Sequence, residues 1–345
     1  MSKTAVLICP GRGTYNKSEL GVLGRSFPNS ALLSEFDARR AGLGQETLTA
    51  LDSAQRYSVA KHTRGDNASA LIYAATYGDF LSIDAREIDI VAVTGNSMGW
   101  YSALACGGAL SAQDGFDVVN TMGRLMQESL IGGQLVYPHL AENWTPDPER
   151  RAALLALVDE INDRAGHVLT LSIDLGGMLV LAGDEAGLSA FEAAVPVQDN
   201  FPMRLSNHAA FHSRLQDPVA AQGRALLAAE LFRQPATPLI DGRGAIWWPG
   251  ACDLQALWSY TLDHQVVETY DFTRAIEVAA REFAPDYFIV AGPGTTLGGA
   301  VAQSLILADW RGMNDKTAFQ TLQSASPFLV SMGRDDQRHL VAHPG

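Results

Sequence analysis

The chain has 345 residues, of which 47% are hydrophobic and 18% charged, and its formal net charge is −13. This composition argues against a disordered chain, and the negative charge argues against general nucleic-acid binding, which needs a basic surface. The cysteines, Cys9, Cys106 and Cys252, form no C-x-x-C pair, so we expect neither a disulfide framework nor zinc. The first apolar run is too short for a signal peptide, and no run of about 18 apolar residues occurs, so we expect a cytoplasmic protein.

Two continuous apolar segments near the N-terminus predict buried parallel strands. Residues 5–8 precede the turn Pro10-Gly-Arg-Gly13, and residues 88–93 run directly into Thr94-Gly-Asn-Ser-Met-Gly99. Helical patterns lie between them, at 46–82, and again from Tyr101 onward. A strand, a glycine-flanked serine and a helix together form the context that a nucleophile elbow requires.

The pattern changes between residues 131 and 207. Short strands predicted at 134–137, 168–172, 178–181 and 203–205 are interleaved with helices at 148–163 and 184–194. A strand-helix-strand-strand-helix-strand order is typical of a ferredoxin-like unit. Afterwards we predict helices at 214–231 and 271–282, a strand at 287–291 and a loose tail beyond 332.

These elements predict an α/β fold with two parts. Residues 1–130 and 208–345 form a large α/β-hydrolase-like catalytic domain with a parallel central sheet. Residues 131–207 form a small ferredoxin-like subdomain that is inserted into it.

Ser97 is the first candidate catalytic residue. Glycines at 95 and 99 permit a sharp turn that presents its hydroxyl at the start of a helix, where the backbone N–H of Met98 can face an oxyanion. A serine hydroxyl needs a base, and His208 and His212 lie close together in the segment 206–213. From the residues alone, a structural role for either histidine is the simpler interpretation.

Ala210-Phe-His-Ser213 resembles the A-F-H-S motif of the malonyl-CoA:acyl carrier protein transacylases, a family whose fold has a ferredoxin-like subdomain between nucleophile and histidine. Four further segments resemble family motifs in the same order, so the resemblance covers residues 5 to about 300. In this chain, residues 10–13 resemble the family's P-G-Q-G and residues 95–104 resemble its G-H-S-L-G-x-Y-S-A-L. Residues 108–127 resemble its G-A-L-S…R-G-x-L-M-Q, and residues 289–294 resemble its E-V-G-P-G.

The resemblance implies a role for each of five residues. Ser97 is the nucleophile and His212 is its base. The backbone N–H groups of Met98 and Arg12 form the oxyanion hole. Glu268 orients His212 through either its carbonyl or its carboxylate.

The resemblance also implies an acyl pocket at Met122, Asn96 and Phe211. Met122 replaces the arginine with which the family binds the free carboxylate of a malonyl group, and a thioether cannot make that bidentate pair. Malonyl selectivity is therefore doubtful. Asn96 replaces a histidine, and Arg12 replaces a glutamine. The Arg12 side chain either reaches an acyl carboxylate or the phosphopantetheine, or faces solvent.

The function that the resemblance implies is an acyltransferase of fatty acid or polyketide biosynthesis. Such an enzyme takes acyl-CoA as its substrate and moves the acyl group to the phosphopantetheine thiol of an acyl carrier protein, through an acyl-serine intermediate. We expect a monomer with no bound cofactor or metal, and neither nucleic acid nor membrane as a partner. Arg150, Arg151, Arg204 and Arg214 are either a basic patch for the acidic carrier or, more simply, solvated charges.

Two alternatives stay open on the same fold. One is a hydrolase of acyl carrier protein or acyl-CoA thioesters, and the other is a non-catalytic scaffold. An unrelated α/β-hydrolase using Asp174, or a patatin-like dyad using Asp241, agrees less well with the motifs.

Overall fold

The central sheet has six strands, and five of them are parallel. The computed structural model describes residues 2–343. The sheet order is β11-β10-β1-β2-β7-β8, and β8 alone runs antiparallel to its neighbour. Over residues 2–343 the strands are β1 (Lys3–Cys9), β2 (Ile88–Gly95), β3 (Gly133–Pro138), β4 (Leu169–Leu175), β5 (Met178–Gly183), β6 (Met203–Arg204), β7 (Leu239–Ile240), β8 (Ile246–Trp247), β9 (Tyr270–Asp271), β10 (Tyr287–Val290) and β11 (Leu329–Ser331).

Helices cover both faces of this sheet, so residues 5–9 of β1 are fully buried, as parallel strands require. The stretch predicted as helical at 46–82 contains three helices, which end at Asp52, His62 and Ser82. The α-helices are α1 (Val22–Ser26), α2 (Ser30–Gly42), α3 (Leu48–Asp52), α4 (Val59–His62), α5 (Gly65–Ser82), α6 (Gly99–Cys106), α7 (Ala112–Ser129), α8 (Pro148–Asn162), α9 (Glu185–Ala194), α10 (Asp217–Leu226), α11 (Leu254–Ser259), α12 (Gln265–Val267), α13 (Phe272–Phe283), α14 (Leu297–Leu307), α15 (Lys316–Ala325) and α16 (Asp335–Arg338).

A second sheet of five strands has the order β6-β3-β5-β4-β9. Along the chain, the order of elements here is β3, α8, β4, β5, α9 and β6, which is the pattern β-α-β-β-α-β. Because side chains alternate along a strand, Leu179 and Leu181 of β5 pack with α8 and α9, whereas Val180 packs into the main core. The fifth strand, β9, lies beyond the predicted subdomain and pairs in parallel with β4. The subdomain boundaries at 131 and 207 stay a prediction.

The predicted α/β class with a parallel central sheet is confirmed. The loose tail predicted after residue 332 is wrong over the described residues. Arg338 of α16 forms an ion pair with Asp79 of α5, and Val341 is 2% exposed. Backbone hydrogen bonds hold the segment as well, from the N–H of Asp84 to the carbonyl oxygen of Val341 at 2.9 Å and from the N–H of His343 to the carbonyl oxygen of Ser82 at 3.0 Å. Backbone contacts of this kind leave no periodic pattern in the sequence. Among residues 2–343 no helix combines the length and the apolar character that crossing a membrane needs.

Candidate active site

A sharp turn between β2 and α6 presents Ser97. The serine has a φ of 55°, which is the left-handed conformation that side chains rarely adopt. A Cβ atom on Gly95 would lie 2.3 Å from the carbonyl of Gly99, and one on Gly99 would lie 2.1 Å from the carbonyl oxygen of Cys9. Only glycine fits at either position, so the two glycines of the motif are what allow this turn to form.

The side chain of His212 meets this serine. Its Nε2 lies 2.7 Å from Oγ of Ser97, and its Nδ1 lies 2.6 Å from the carbonyl oxygen of Gln265. A carbonyl oxygen only accepts hydrogen bonds, so Nδ1 carries the proton. Nε2 is therefore the free acceptor for the serine O–H, which is the arrangement of a nucleophile with its general base.

The backbone holds His212 in place. The residue has a φ of 55°, and its N–H donates to the carbonyl oxygen of Val266 at 3.0 Å. Its ring packs against that of Tyr270, whose hydroxyl donates to the carbonyl oxygen of Gly95 at 2.6 Å. Burial lowers the pKa of His212 to about 4, although its hydrogen bond to Gln265 opposes the shift. The imidazole is consequently neutral at pH 7 and able to accept a proton.

The other histidine of the segment has a different partner. Nδ1 of His208 lies 2.8 Å from Oε1 of Gln134, whose amide donates to Ser172 at 2.6 Å. The hydroxyl of Ser172 in turn donates to the carbonyl oxygen of Phe211 at 2.8 Å. His208 thus belongs to a buried chain of hydrogen bonds that ties the loop carrying His212 to β3 and β4.

The predicted role of Glu268 is wrong. Its carboxylate pairs with Arg214 at the surface, and the carbonyl oxygen of Gln265, three residues earlier, accepts the Nδ1 proton of His212. Gln265 also donates from its side-chain amide to the carbonyl oxygen of Ser97 at 3.0 Å and accepts from Tyr101 at 3.0 Å. The sequence analysis did not identify Gln265. The one feature that pointed to it is a polar glutamine directly before the apolar pair Val266 and Val267.

Two backbone N–H groups near Ser97 are free to bind an anion. Among the described residues, neither the N–H of Met98, which precedes α6, nor that of Arg12, in the turn after β1, has a hydrogen-bond acceptor. The turns that carry them are in contact, because a Cβ atom on Gly11 would lie 2.6 Å from the carbonyl oxygen of Asn96. Two such donors beside a nucleophile are what an oxyanion hole requires.

A cleft of about 370 Å³, including its open mouth, adjoins the serine and the histidine. Met122 and Phe211, two of the three residues predicted to form an acyl pocket, line this cleft. Asn96 does not contribute to its lining in the described part of the chain, which corrects that prediction: Asn96 is buried in the turn, with Oδ1 unpartnered. The lining residues are Arg12, Ser69, Ser97, Met98, Tyr101, Met122, Gly123, Met126, Phe211, His212, Gln265 and Val266.

The side chain of Arg12 does not face solvent, so that interpretation is wrong. Nη2 donates to the carbonyl oxygens of Thr63 at 2.7 Å and Asn207 at 2.9 Å, and the guanidinium carbon lies 5.5 Å from the centre of the Phe211 ring. Burial lowers the pKa of Arg12 to about 10, with the charge of Asp66 opposing the shift. The side chain remains a cation at neutral pH.

Three of the four arginines considered as a basic patch are paired with carboxylates. Arg151 contacts Asp174, Arg204 contacts Glu185 and Glu192, and Arg214 contacts Asp217 and Glu268. Such pairing weakens the field that an acidic partner would experience.

The chain is similar in sequence to known proteins. The chain is 28% identical over 218 residues to the non-reducing polyketide synthase mapC of Penicillium roqueforti, which aligns 59% of this chain with 8% of that protein. It is 27% identical over 208 residues to the malonyl CoA-acyl carrier protein transacylase of Bacillus subtilis, aligning 60% of this chain with 62% of that protein. The matches thus span less than two thirds of these relatives' own lengths. No protein-family model matches the chain.

Solved structures share the fold over nearly the whole chain. The malonyl-CoA:ACP transacylase of Synechocystis sp. PCC 6803 superposes with a TM-score of 0.73 at 16% identity, over 98% of this chain and 100% of that one. A malonyl-transacylase solved in complex with a type II polyketide synthase acyl-carrier protein superposes with a TM-score of 0.70 at 20% identity, over 94% and 100%. The chain therefore has the fold of the malonyl-CoA:acyl carrier protein transacylases and resembles them in sequence.

Proposed function

We propose that this protein transfers an acyl group from a CoA thioester to the phosphopantetheine thiol of an acyl carrier protein. The observation that supports the proposal most directly is the 2.7 Å contact between Ser97 and a neutral His212 at the start of a helix. The sequence and fold resemblance to transacylases and to acyltransferase regions of polyketide synthases points to the same chemistry.

In the first half-reaction, Nε2 of His212 takes the Oγ proton while Oγ attacks the thioester carbonyl. The N–H groups of Met98 and Arg12 stabilise the tetrahedral oxyanion, each donor contributing about 3 kcal/mol where such groups have been removed from other enzymes. The C–S bond then breaks, and the imidazolium gives its proton to the departing CoA thiolate. The products are acyl-Ser97 and free CoA.

The second half-reaction reverses these steps with a different thiol. The phosphopantetheine thiol of the carrier gives its proton to His212 and attacks the ester carbonyl. The C–O bond breaks, and the proton returns to Oγ of Ser97. A type II carrier protein bound to a structurally similar transacylase supports a carrier as acceptor.

This chain lacks the arginine with which malonyl transacylases bind the free carboxylate of the malonyl group, because Met122 stands at that position. Met122 is fully buried and lines the cleft, where a thioether cannot pair with a carboxylate. Met122 also favours the second candidate function, thioester hydrolysis, in which water replaces the carrier thiol. A non-catalytic scaffold has less support. A catalyst needs the serine, the histidine and two free N–H groups close together, whereas a scaffold does not.

One experiment separates these functions. The protein is incubated with acetyl-, malonyl- and longer acyl-CoA, with and without phosphopantetheinylated carrier protein, and both proteins are weighed intact. Transfer predicts an acyl mass on the enzyme that moves to the carrier. Hydrolysis predicts free acid and an unmodified carrier, and a scaffold predicts no adduct with any thioester.

A further inference from the structure

The side chain of Tyr270 contacts the turn that carries the nucleophile and also the ring of the base. Its hydroxyl lies 2.6 Å from the carbonyl oxygen of Gly95, two residues before Ser97. Its ring packs against the imidazole of His212, with 5.4 Å between the ring centres. Tyr270 is 1% exposed and is not among the described residues that line the cleft. One buried side chain therefore joins the surroundings of both reacting groups without lying in the space for the acyl group.

Contacts on either side of Tyr270 fix its position. The strand β9, which begins with this residue, pairs with β4, and the hydroxyl of Thr269 donates to the carbonyl oxygen of Leu171 in β4 at 2.7 Å. The N–H of Asp271 donates to the carbonyl oxygen of Gly242 at 2.7 Å. A Cβ atom on Gly242 would lie 2.5 Å from Cδ2 of the Tyr270 ring, so the backbone there is in close contact with the ring. The side chain is consequently a rigid link.

The hydroxyl of Tyr270 supplies a hydrogen-bond donor at the point where β2 ends. The pairing of β2 with its neighbour β7 stops at Thr94, one residue before Gly95. A carbonyl oxygen only accepts, so the hydroxyl is the donor. Burial raises the pKa of Tyr270 well above its ordinary value of 10, and the hydroxyl therefore keeps its proton at neutral pH. The end of β2 is thus held by a permanent donor just beyond its last pairing with β7.

We propose that Tyr270 is a positioning residue for the acylation of Ser97. Its hydroxyl fixes the turn at Gly95 relative to the segment 265–270, which also holds the imidazole of His212. Oγ and Nε2 therefore stay within proton-transfer distance, although the tyrosine takes no part in the transfer itself. A misplacement of about 1 Å between reacting groups can cost about a hundredfold in rate. The inference rests on the acyl-serine chemistry proposed above and adds to it a residue that acts through the backbone.

Tyr270→Phe removes the hydroxyl and keeps the ring, so it tests this bond alone. The matched control is Tyr73→Phe in α5. Tyr73 is fully buried, and its hydroxyl donates to the carbonyl oxygen of Ala112 at 2.7 Å, but it does not line the cleft. Both substitutions delete one buried hydrogen bond to a backbone carbonyl. They should therefore lower the free energy of unfolding similarly, which chemical denaturation measures.

Two rates at Ser97 are measured by intact mass. One is acylation by acyl-CoA as a function of its concentration. The other is labelling by a fluorophosphonate, in which Oγ attacks phosphorus, fluoride departs and His212 takes the proton. Tyr270→Phe should lower the maximum acylation rate about tenfold, or about 1.4 kcal/mol, and should slow labelling by a similar factor. The half-saturating acyl-CoA concentration should change less than twofold, because the cleft is intact. Tyr73→Phe should keep both rates within twofold of the wild type.

Four results would overturn the inference. They are wild-type rates in Tyr270→Phe, equal slowing in Tyr73→Phe, a raised half-saturating concentration at an unchanged maximum rate, and failure of Tyr270→Phe to fold. The last would show that the bond maintains the fold itself and not the reacting pair. If the wild type forms no adduct with any thioester, the proposed acyl transfer fails instead, and fluorophosphonate labelling still decides the role of Tyr270. If the wild type is not labelled either, both proposals fail.

Discussion

The imidazole Nε2 of His212 lies 2.7 Å from Oγ of Ser97, and both residues hold a φ of 55°. A non-glycine residue in the left-handed region costs about 1–3 kcal/mol and persists where its surroundings fix it. Here the turn around Ser97 is fixed by glycine packing, and His212 is fixed by its backbone bond to Val266. Both partners of the proton transfer are thus held in strained conformations that bring them together.

Ser97→Ala should abolish the acyl-enzyme adduct, because no other hydroxyl of the described chain is within hydrogen-bonding range of Nε2 of His212. Intact mass after exposure to an acyl-CoA panel measures the adduct. The matched control is Ser102→Ala in α6, since that hydroxyl is buried without a partner and does not line the cleft. An adduct of equal mass on Ser97→Ala would assign the nucleophile elsewhere.

The pH dependence of acylation should reflect the shifted pKa of His212. Only the neutral imidazole accepts the serine proton, and burial lowers the pKa from 6.5 to about 4. The base form therefore persists as the pH falls, and the acylation rate should stay level from pH 8 to about pH 5 and halve near pH 4. Rapid-quench intact mass measures the rate, with circular dichroism to verify folding. Loss of half the rate near pH 6.5 would contradict the shift.

Glu268→Ala should change the acylation rate less than about twofold. Its carboxylate makes an exposed ion pair with Arg214, and such pairs contribute about 0–1 kcal/mol. Gln265→Leu should slow acylation about tenfold or more, since it removes the acceptor of the Tyr101 hydroxyl and the donor to the carbonyl of Ser97. Equal effects of the two substitutions would show that the amide of Gln265 does not organise the site.

Met122→Arg should increase malonyl loading relative to acetyl loading about tenfold, because a guanidinium can pair with the free carboxylate. The Met122 sulfur packs against α10, since it would lie 2.7 Å from a Cβ atom on Gly223, and the residue also lines the cleft. Met126→Arg also places a guanidinium at the cleft, but one turn further along α7, so it tests whether the effect depends on the position of the charge. No change in the loading ratio would mean that the acyl group does not reach position 122.

The sequence contains the main features of the fold and of the turn that carries Ser97, because both depend on local patterns, whereas His212 could be identified only through the family resemblance. Continuous apolar strands and two flanking glycines define β2, the turn and α6. The partner of Nδ1 could not be predicted in the same way. A backbone carbonyl acts regardless of its side chain, so the role of Gln265 depends on the path of the chain between Tyr260 and Tyr270. The direction of the Arg12 side chain similarly depends on Thr63 and Asn207, which are far from it in sequence.

The final prediction concerns the glycine that begins α6. Gly99→Ala should destabilise the protein by at least about 3 kcal/mol, because the added carbon would lie 2.1 Å from the carbonyl oxygen of Cys9, and both the helix start and β1 are backbone that cannot rotate away. Chemical denaturation measures the change in the free energy of unfolding. Any folded fraction should also acylate slowly, since relief of the contact moves the helix start and with it Ser97.

Gly298→Ala in α14 provides the matched control for this prediction. No atom outside its own helical neighbourhood lies within 4 Å of the Cβ position of Gly298, so alanine should be neutral or stabilise the protein by up to about 1 kcal/mol. The contrast tests the close approach itself, because both changes add one methyl group to a helical glycine. If Gly99→Ala unfolds at the same denaturant concentration as Gly298→Ala, the contact between α6 and β1 is looser than 2.1 Å implies, and the turn does not depend on glycine at that position.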